Sequence, residues 1–299
     1  MGMPFRKLIT LHVAVLCGLT AWLAAPSLLA QARERTLFVS ALDKDDKPVE
    51  GLGPDAFVVR EDGTRREVLR VSRATEPIDV ALLVDNSTAA DRQITYMREA
   101  LSAFVARMAP RNKVAVVTLA DRPTIRVDYT DDAPRLTASV GSLFSMPNSG
   151  MTLLDAITEV STGLAKRETP RAVIVAVLTD GPEFTNRYHR DVVNALRGAK
   201  AALHMVTIGQ FYHREEHGIR ERSYFLDLGP VESGGQRIPL LVPTGLAPAM
   251  ERLATELLSQ YKVVYSRPES LIAPEKVSVS SARPEVTMHG APARGENGD

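Results

Sequence analysis

Two aspartates in this sequence stand directly behind apolar runs, and each is followed by residues whose oxygens could share a ligand with it. Asp85 follows Val80–Val84 and leads into Asn86-Ser87-Thr88, while Asp180 follows Ala172–Leu178 and Thr179 and leads into Gly181. A third segment, Ser149-Gly150-Met151-Thr152, opens onto a periodic apolar stretch at Leu153. If the two runs are parallel strands, both aspartates emerge at the carboxyl end of the sheet. Open α/β sheets bind ligands at that end, near the point where strand order reverses. The Thr152 hydroxyl, at the start of the next helix, then lies on the same rim. Carboxylates and hydroxyls converging there make an all-oxygen site, which suits Mg²⁺, Mn²⁺ or Ca²⁺ and suits zinc or copper poorly.

Each residue also has a simpler reading. Thr152 with Asp155 spells T-x-x-D, a capping-box-like helix start that needs no metal. Asp180-Gly181 reads equally as a tight turn, and Asp85 as a helix cap, although Thr88 or Asp91 is better placed for that.

The elements that must position these residues follow from periodicity. Val80–Val84, Val114–Leu119, Ala172–Leu178 and Ala202–Ile208 are unbroken apolar runs, as expected of strands buried on both faces. Ile94, Met97, Leu101, Phe104 and Met108 recur at helical spacing between the first two runs, and Leu153, Ile157, Val160 and Leu164 do so before the third. Further helices are expected at His189–Lys200 and Leu246–Leu258, the latter leading into Tyr261–Tyr265 as the last strand. Strict alternation predicts a doubly wound, mostly parallel α/β sheet with helices on both faces. Thr124–Thr130 reads as a short edge strand, and Tyr212–Pro243 as a long insertion with no clear period, a candidate functional loop.

The flanks read as β structure. Thr36–Leu42 is strand-like, and Phe57–Arg60 runs through Asp62-Gly63, a strong hairpin signal, into a returning strand at Arg66–Val71. Alternating runs at Lys276–Ser280 and Val286–Met288 are expected to join this early segment in one small β module, before a Gly-, Pro- and Glu-containing tail expected to be disordered.

At this point the sequence resembles a known family. "LLVDNSTAA", "SGMTLLDAI" and "VLTDGPE" are similar to the three loops of the metal-ion-dependent adhesion site (MIDAS) of von Willebrand factor A (VWFA) domains. The resemblance covers Ile78 to about Arg267. "VSALDKDDKPVEGLGPDAFVVREDG", "QYKVVYSRPES" and "KVSVSSARPEV" extend it to the secreted bacterial VWFA-related subgroup. The family's D-x-S-x-S, threonine and aspartate fall on Asp85, Ser87, Thr152 and Asp180, whereas Ala89 stands where a second serine is expected. The resemblance implies that hydroxyls contact the ion directly and that the aspartates act partly through water. An ion so held stays electrophilic and takes a carboxylate from a partner protein as its missing ligand.

Enzyme readings fit less well. A haloacid-dehalogenase-like hydrolase or phosphotransferase needs D-x-D-x-T, and Ser87 replaces the second aspartate. A dinucleotide site needs a glycine-rich turn after the first strand, and no glycine occurs between Gly63 and Gly141. His213-Arg214-Glu215-Glu216-His217 matches H-x-x-E-H of inverted zinc peptidases. Its polar surroundings, with Gly218 expected to cut short any helix, favour a solvated loop. His189, His204 and His289 show no partner in the sequence, and His204 reads as a core-strand residue.

Composition is ordinary for a globular protein, and the formal charge of zero gives no reason to expect nucleic acid or an anionic membrane as partner. Arg6 and Lys7, the apolar Leu8–Ala25 and Ala30-Gln31-Ala32 before Arg33 together describe a secretory signal peptide, with Cys17, the sole cysteine, inside it. An uncleaved anchor is the other reading. Cleavage after Ala32 leaves 34 basic and 36 acidic residues of the original 36 each, net −2. The expected layout is a leader at 1–32, a β segment at 33–76, the VWFA-like domain at 77–267, and a second β segment with a tail at 268–299. The expected function is that of a periplasmic or secreted binding protein and not an enzyme, with no membrane span after cleavage. A metal-free scaffold is the main alternative, and a metal-dependent hydrolase the lesser one.

Overall fold

The computed structural model describes residues 32–211, 215–268, 272 and 274–292. The expected leader, up to Gln31, and the end of the tail lie outside them.

Four apolar runs form the centre of a six-stranded sheet. Its members are β5 (Ile78–Val84), β6 (Lys113–Thr118), β7 (Thr124–Thr130), β8 (Arg171–Thr179), β9 (Ala201–Ile208) and β10 (Arg237–Leu240), in the order β10-β9-β8-β5-β6-β7. All neighbours are parallel except β6 and β7, so β7 is the antiparallel edge. Every residue of β5, β8 and β9 is buried, as continuous apolar runs require. The chain runs from β5 outward to β6 and β7, then returns to β8 on the other side of β5. Strand order therefore reverses between β5 and β8, the two strands that carry Asp85 and Asp180.

Helices cover both faces. α1 (Ile94–Met108), α2 (Ala133–Gly141) and α6 (Leu246–Leu258) pack over Val80, Leu82 and Val84. On the other face α3 (Leu153–Ala165), α4 (His189–Ala199) and α5 (His217–Ser233) pack over Ala81 and Leu83. Helix α5 and strand β10 occupy the segment expected to be an insertion without period, and that expectation is corrected. Gly218 does not end a helix; it lies inside the first turn of α5.

The flanks build two small sheets around a separate core of Leu37, Val39, Phe57, Val59, Val263 and Tyr265. β1 (Ala32–Leu42) pairs antiparallel with both β11 (Tyr261–Pro268) and β13 (Thr287–Pro292), and β4 (Val68–Arg73) adds to β11. β12 (Val277–Ser281), β2 (Phe57–Glu61) and β3 (Thr64–Arg66) form the other sheet. The turn joining β2 to β3 carries Asp62 at φ 47° and Gly63 at φ 82°, as the Asp-Gly signal requires. Two details differ from the sequence reading. The returning strand divides at Glu67, its second half joining the other sheet. Tyr261–Tyr265 does not continue the parallel series, because its partners are β1 and β4. No helix among the described residues is long and apolar enough to cross a membrane.

Candidate functional site

Strands β5 and β8 run side by side in register, Val84 opposite Val177, and Asp85 extends the ladder by donating its amide to Val177 O at 2.9 Å. This fixes the Asp85 side chain beneath the rim, fully buried. One oxygen accepts from the Ser87 amide at 2.9 Å, while the other accepts from the Thr179 amide at 3.1 Å and from the Thr179 hydroxyl. Asp85 therefore ties the first loop to the end of β8 and caps no helix. The first loop then presents Ser87, whose Oγ is buried without a hydrogen-bond partner among the described residues. A buried hydroxyl in that condition is costly unless a ligand takes it up.

Thr152 is buried on the same rim, its hydroxyl donating to Leu119 O at 2.8 Å and leaving an oxygen lone pair unused. It makes no side-chain cap for α3, so the capping-box reading fails here. Glu183 takes that role, accepting from the Leu154 amide at 3.2 Å, while Asp155 pairs with Arg187 at 2.7 Å. Burial pushes the Glu183 carboxyl up to about 8, against the opposing pull of the helix amides and of Arg222. Backbone bonds lace the second loop to the third: Met151 donates to Pro182 O at 2.9 Å and Phe184 donates to Met151 O at 2.7 Å. Asn86 and Asp121 brace the rim by accepting from the amides of Ala120 and Gly150.

Position 89 belongs to the site in space as well as in sequence. A Cβ built on Gly181 would lie 2.7 Å from Ala89 Cβ and 3.7 Å from Ser87 Oγ, so the three residues share one spot. The tight approach requires glycine at 181. Asp180 beside it is exposed, and its carboxylate meets Arg222 of α5 at 3.5 Å. Arg222 also donates to Gly181 O, is itself buried, and stacks 5.0 Å from the centre of the Phe211 ring. Burial lowers its pKa, and the neighbouring acids Glu183, Asp180 and Asp85 each oppose that shift when ionised.

The structure thus gathers Asp85, Ser87, Thr152 and Asp180 around one crevice at the strand-order reversal. Thr179, Glu183 and Arg222 were not legible as members. Thr179 sits beside an expected ligand without being named, and Arg222 comes from the segment read as aperiodic. Asp85, Ser87, Thr152 and Asp180 offer only oxygens as ligands, and the orphaned Ser87 hydroxyl fits a hard cation in kind. Phe144, Met146 and Phe184 stand exposed on the same rim.

The histidine motif does not join this crevice as a set. His213 and Arg214 lie outside the described residues, and His217 opens α5 with its ring 5.3 Å from that of Tyr188. Among the described residues, no three His, Cys, Asp or Glu side chains form a group able to hold a metal. His189 has a partner after all, Glu221 at 2.7 Å. His204 is a buried strand residue, as expected, whose pKa burial drives down to about 3.

Residues 80–183 match the family model of the von Willebrand factor type A domain. No curated protein matches the chain in sequence. Proximal thread matrix protein 1 from the mussel byssus, described with a zinc-occupied MIDAS motif, is similar in structure. It is 15% identical with a TM-score of 0.52, over 70% of this chain and 50% of that one. The vWF domain of the type V pili tip protein Mfa5 from Porphyromonas gingivalis is 12% identical with a TM-score of 0.46, over 60% and 95%. A von Willebrand factor type A structure from Catenulispora acidiphila is 12% identical with a TM-score of 0.46, over 87% and 74%. At 15% identity the likeness to the mussel protein is one of fold, and this chain spans half the length of that protein.

Proposed function

With a von Willebrand factor type A domain over residues 80–183, we propose that this chain is an exported binding protein, not an enzyme, that engages a protein partner through the rim around Asp85, Ser87, Thr152 and Asp180. A divalent cation, Mg²⁺ in the first instance with Mn²⁺ or Ca²⁺ as substitutes, is held there weakly. Ser87 and Thr152 would supply hydroxyl ligands, and Asp85 and Asp180 would hold water around the ion and orient it. When bound, the ion supplies an electrophilic centre to which a partner carboxylate adds as the missing ligand. The observation that carries this reading is the buried Ser87 hydroxyl, which has no partner among the described residues although Asp85 beside it is fully engaged by the Ser87 amide and by Thr179. Exposed Phe144, Met146 and Phe184 supply the apolar contact area that such an interface needs beside its polar anchor.

Ala89 explains why the ion is weakly held. A methyl group cannot coordinate, so water fills that position. Perturbing even the shell around metal ligands commonly costs about 10–100-fold in affinity. By calorimetry, Ala89→Ser should tighten Mg²⁺ or Mn²⁺ binding by about that factor, and Asp180→Ala should abolish it. If neither the natural protein nor Ala89→Ser takes up ion at millimolar concentration, the domain is a metal-free scaffold. Export is checked by sequencing the protein recovered outside the cytoplasm, which should begin at Arg33; an intact Met1 in the membrane pellet would overturn it.

A further inference from the structure

The acids of the crevice already have a counter-charge. The guanidinium of Arg222 lies buried between the third loop and the Phe211 ring, donates to Gly181 O, and meets Asp180 at 3.5 Å. The negative charges of Asp180 and Asp85 act upon it, whereas burial keeps Glu183 largely protonated at neutral pH. Gly181 in turn lies against Ser87 and Ala89, so the guanidinium is anchored one residue from the place where an ion would sit. Charges buried in this way are little screened by salt and interact far more strongly than they would in water.

We propose that Arg222 is the resident cation of this site and competes with a divalent ion for Asp180, so that the ion binds only as Asp180 leaves Arg222. The inference rests on the metal-bound reading above and assigns its affinity to a residue outside the three loops. Asp180 is the natural point of exchange, because it is the exposed acid of the set, whereas Asp85 is buried and fully engaged with Ser87 and Thr179. In the resting site Arg222 offsets the charge of Asp180. A divalent ion entering beside it meets a like charge and a carboxylate that is already paired. Removing the guanidinium leaves the acids uncompensated and raises their attraction for the ion.

The test is Mn²⁺ titration followed by electron paramagnetic resonance on the natural protein, Arg222→Gln, Arg222→Lys and Ala89→Ser, with circular dichroism to verify folding. Arg222→Gln keeps a donor toward Gly181 O without the charge, and its affinity for Mn²⁺ should rise at least tenfold. Arg222→Lys keeps the charge and should stay within about threefold of the natural protein. A folded Arg222→Gln that binds no tighter, or an Arg222→Lys that gains as much, overturns the proposal while a tighter Ala89→Ser leaves the adhesion-site reading standing. If no protein in the set binds Mn²⁺ at millimolar concentration, both fall together. Should Arg222→Gln not fold, the arginine side-chain NMR signals of the natural protein decide: the Arg222 resonance should shift in step with Mg²⁺ binding, and one that ignores saturating Mg²⁺ overturns the proposal.

Discussion

The carboxylate of Asp85 accepts three hydrogen bonds from groups that can only donate toward it in this arrangement: two amides and the Thr179 hydroxyl. An amide side chain there would turn one oxygen into a donor facing other donors. Asp85→Asn should therefore lose about 1–3 kcal/mol of stability in the presence of chelator, when no metal is involved, by urea denaturation. Ser87→Ala should behave in the opposite way, because its hydroxyl makes no bond to lose. Its stability in chelator should be unchanged or slightly raised, while ion binding is lost; a clear destabilisation in chelator would mean that the hydroxyl has a partner in the protein. All four candidate residues were legible because strand ends and loop starts are readable from apolar runs. What each side chain does there was not, since hydrogen bonding between Asp85 and Thr179 depends on strand register across 94 residues of sequence.

Helix α5 shows why one element escaped the periodic reading. Its buried residues include Gly218, Ile219, Arg222, Phe225, Leu226, Gly229 and Ser233 at helical spacing, but also Glu221, Ser223 and Pro230, with few large apolar side chains among them. The glycines are there because neighbouring atoms come close, backbone at Gly218 and side chains at Gly229. A Cβ on Gly218 would lie 2.1 Å from Glu183 O, and one on Gly229 would lie 2.9 Å from the Phe225 ring. Gly218→Ala should displace the start of α5 from the third loop, at a cost of about 2 kcal/mol or more, since overpacking against backbone cannot relax through a rotamer. Because Arg222 is one turn further on, the same change should alter ion affinity in a titration while Gly229→Ala, at the far end of the helix, alters it less. The other missed assignment, β11, has the same kind of cause: an apolar strand following a helix looks alike whether it extends one sheet or opens another.

At the scale of the whole molecule, the two cores meet along α6, and buried polar groups join them. Arg171, at the start of β8, donates to Glu76 O, to Leu257 O at the end of α6 and to Gln260, while Gln260 reaches Ser40 of β1 at 3.1 Å. Arg171→Met would leave those acceptors unpaired and should cost about 3 kcal/mol, with the β module loosened first in hydrogen exchange. Glu256 of α6 lies nearby and accepts from Gln236. Burial pushes its carboxyl up to about 7 from the usual 4.5. The folded protein thus holds this proton over a range in which the unfolded chain has released it, so stability falls as pH rises from about 4.5 through 7. Glu256→Gln should remove that fall: equal to the natural protein below about pH 4.5, and more stable above pH 7, by thermal melting across the series. The layered sheet was legible from sequence because each strand and helix signals locally. The junction was not, because it is made by single polar residues drawn from β8, α6, β1 and the loops between elements.

Strand β1 lies between β11 and β13, with Arg35 opposite Tyr265 and Phe38 opposite Ala291. The first strand of the described chain is therefore completed only by segments made more than 200 residues later on the ribosome. Until then it waits with both edges open and its apolar Leu37–Leu42 half uncovered, while the six-stranded sheet, whose strands follow one another at short intervals, is free to assemble. Closing so long a loop is slow and comes late. Refolding should accordingly be biphasic, with near-native signal from the sheet core preceding the burial of Tyr265. Chains halted before Tyr261 should aggregate through β1, even though the parallel sheet itself is complete.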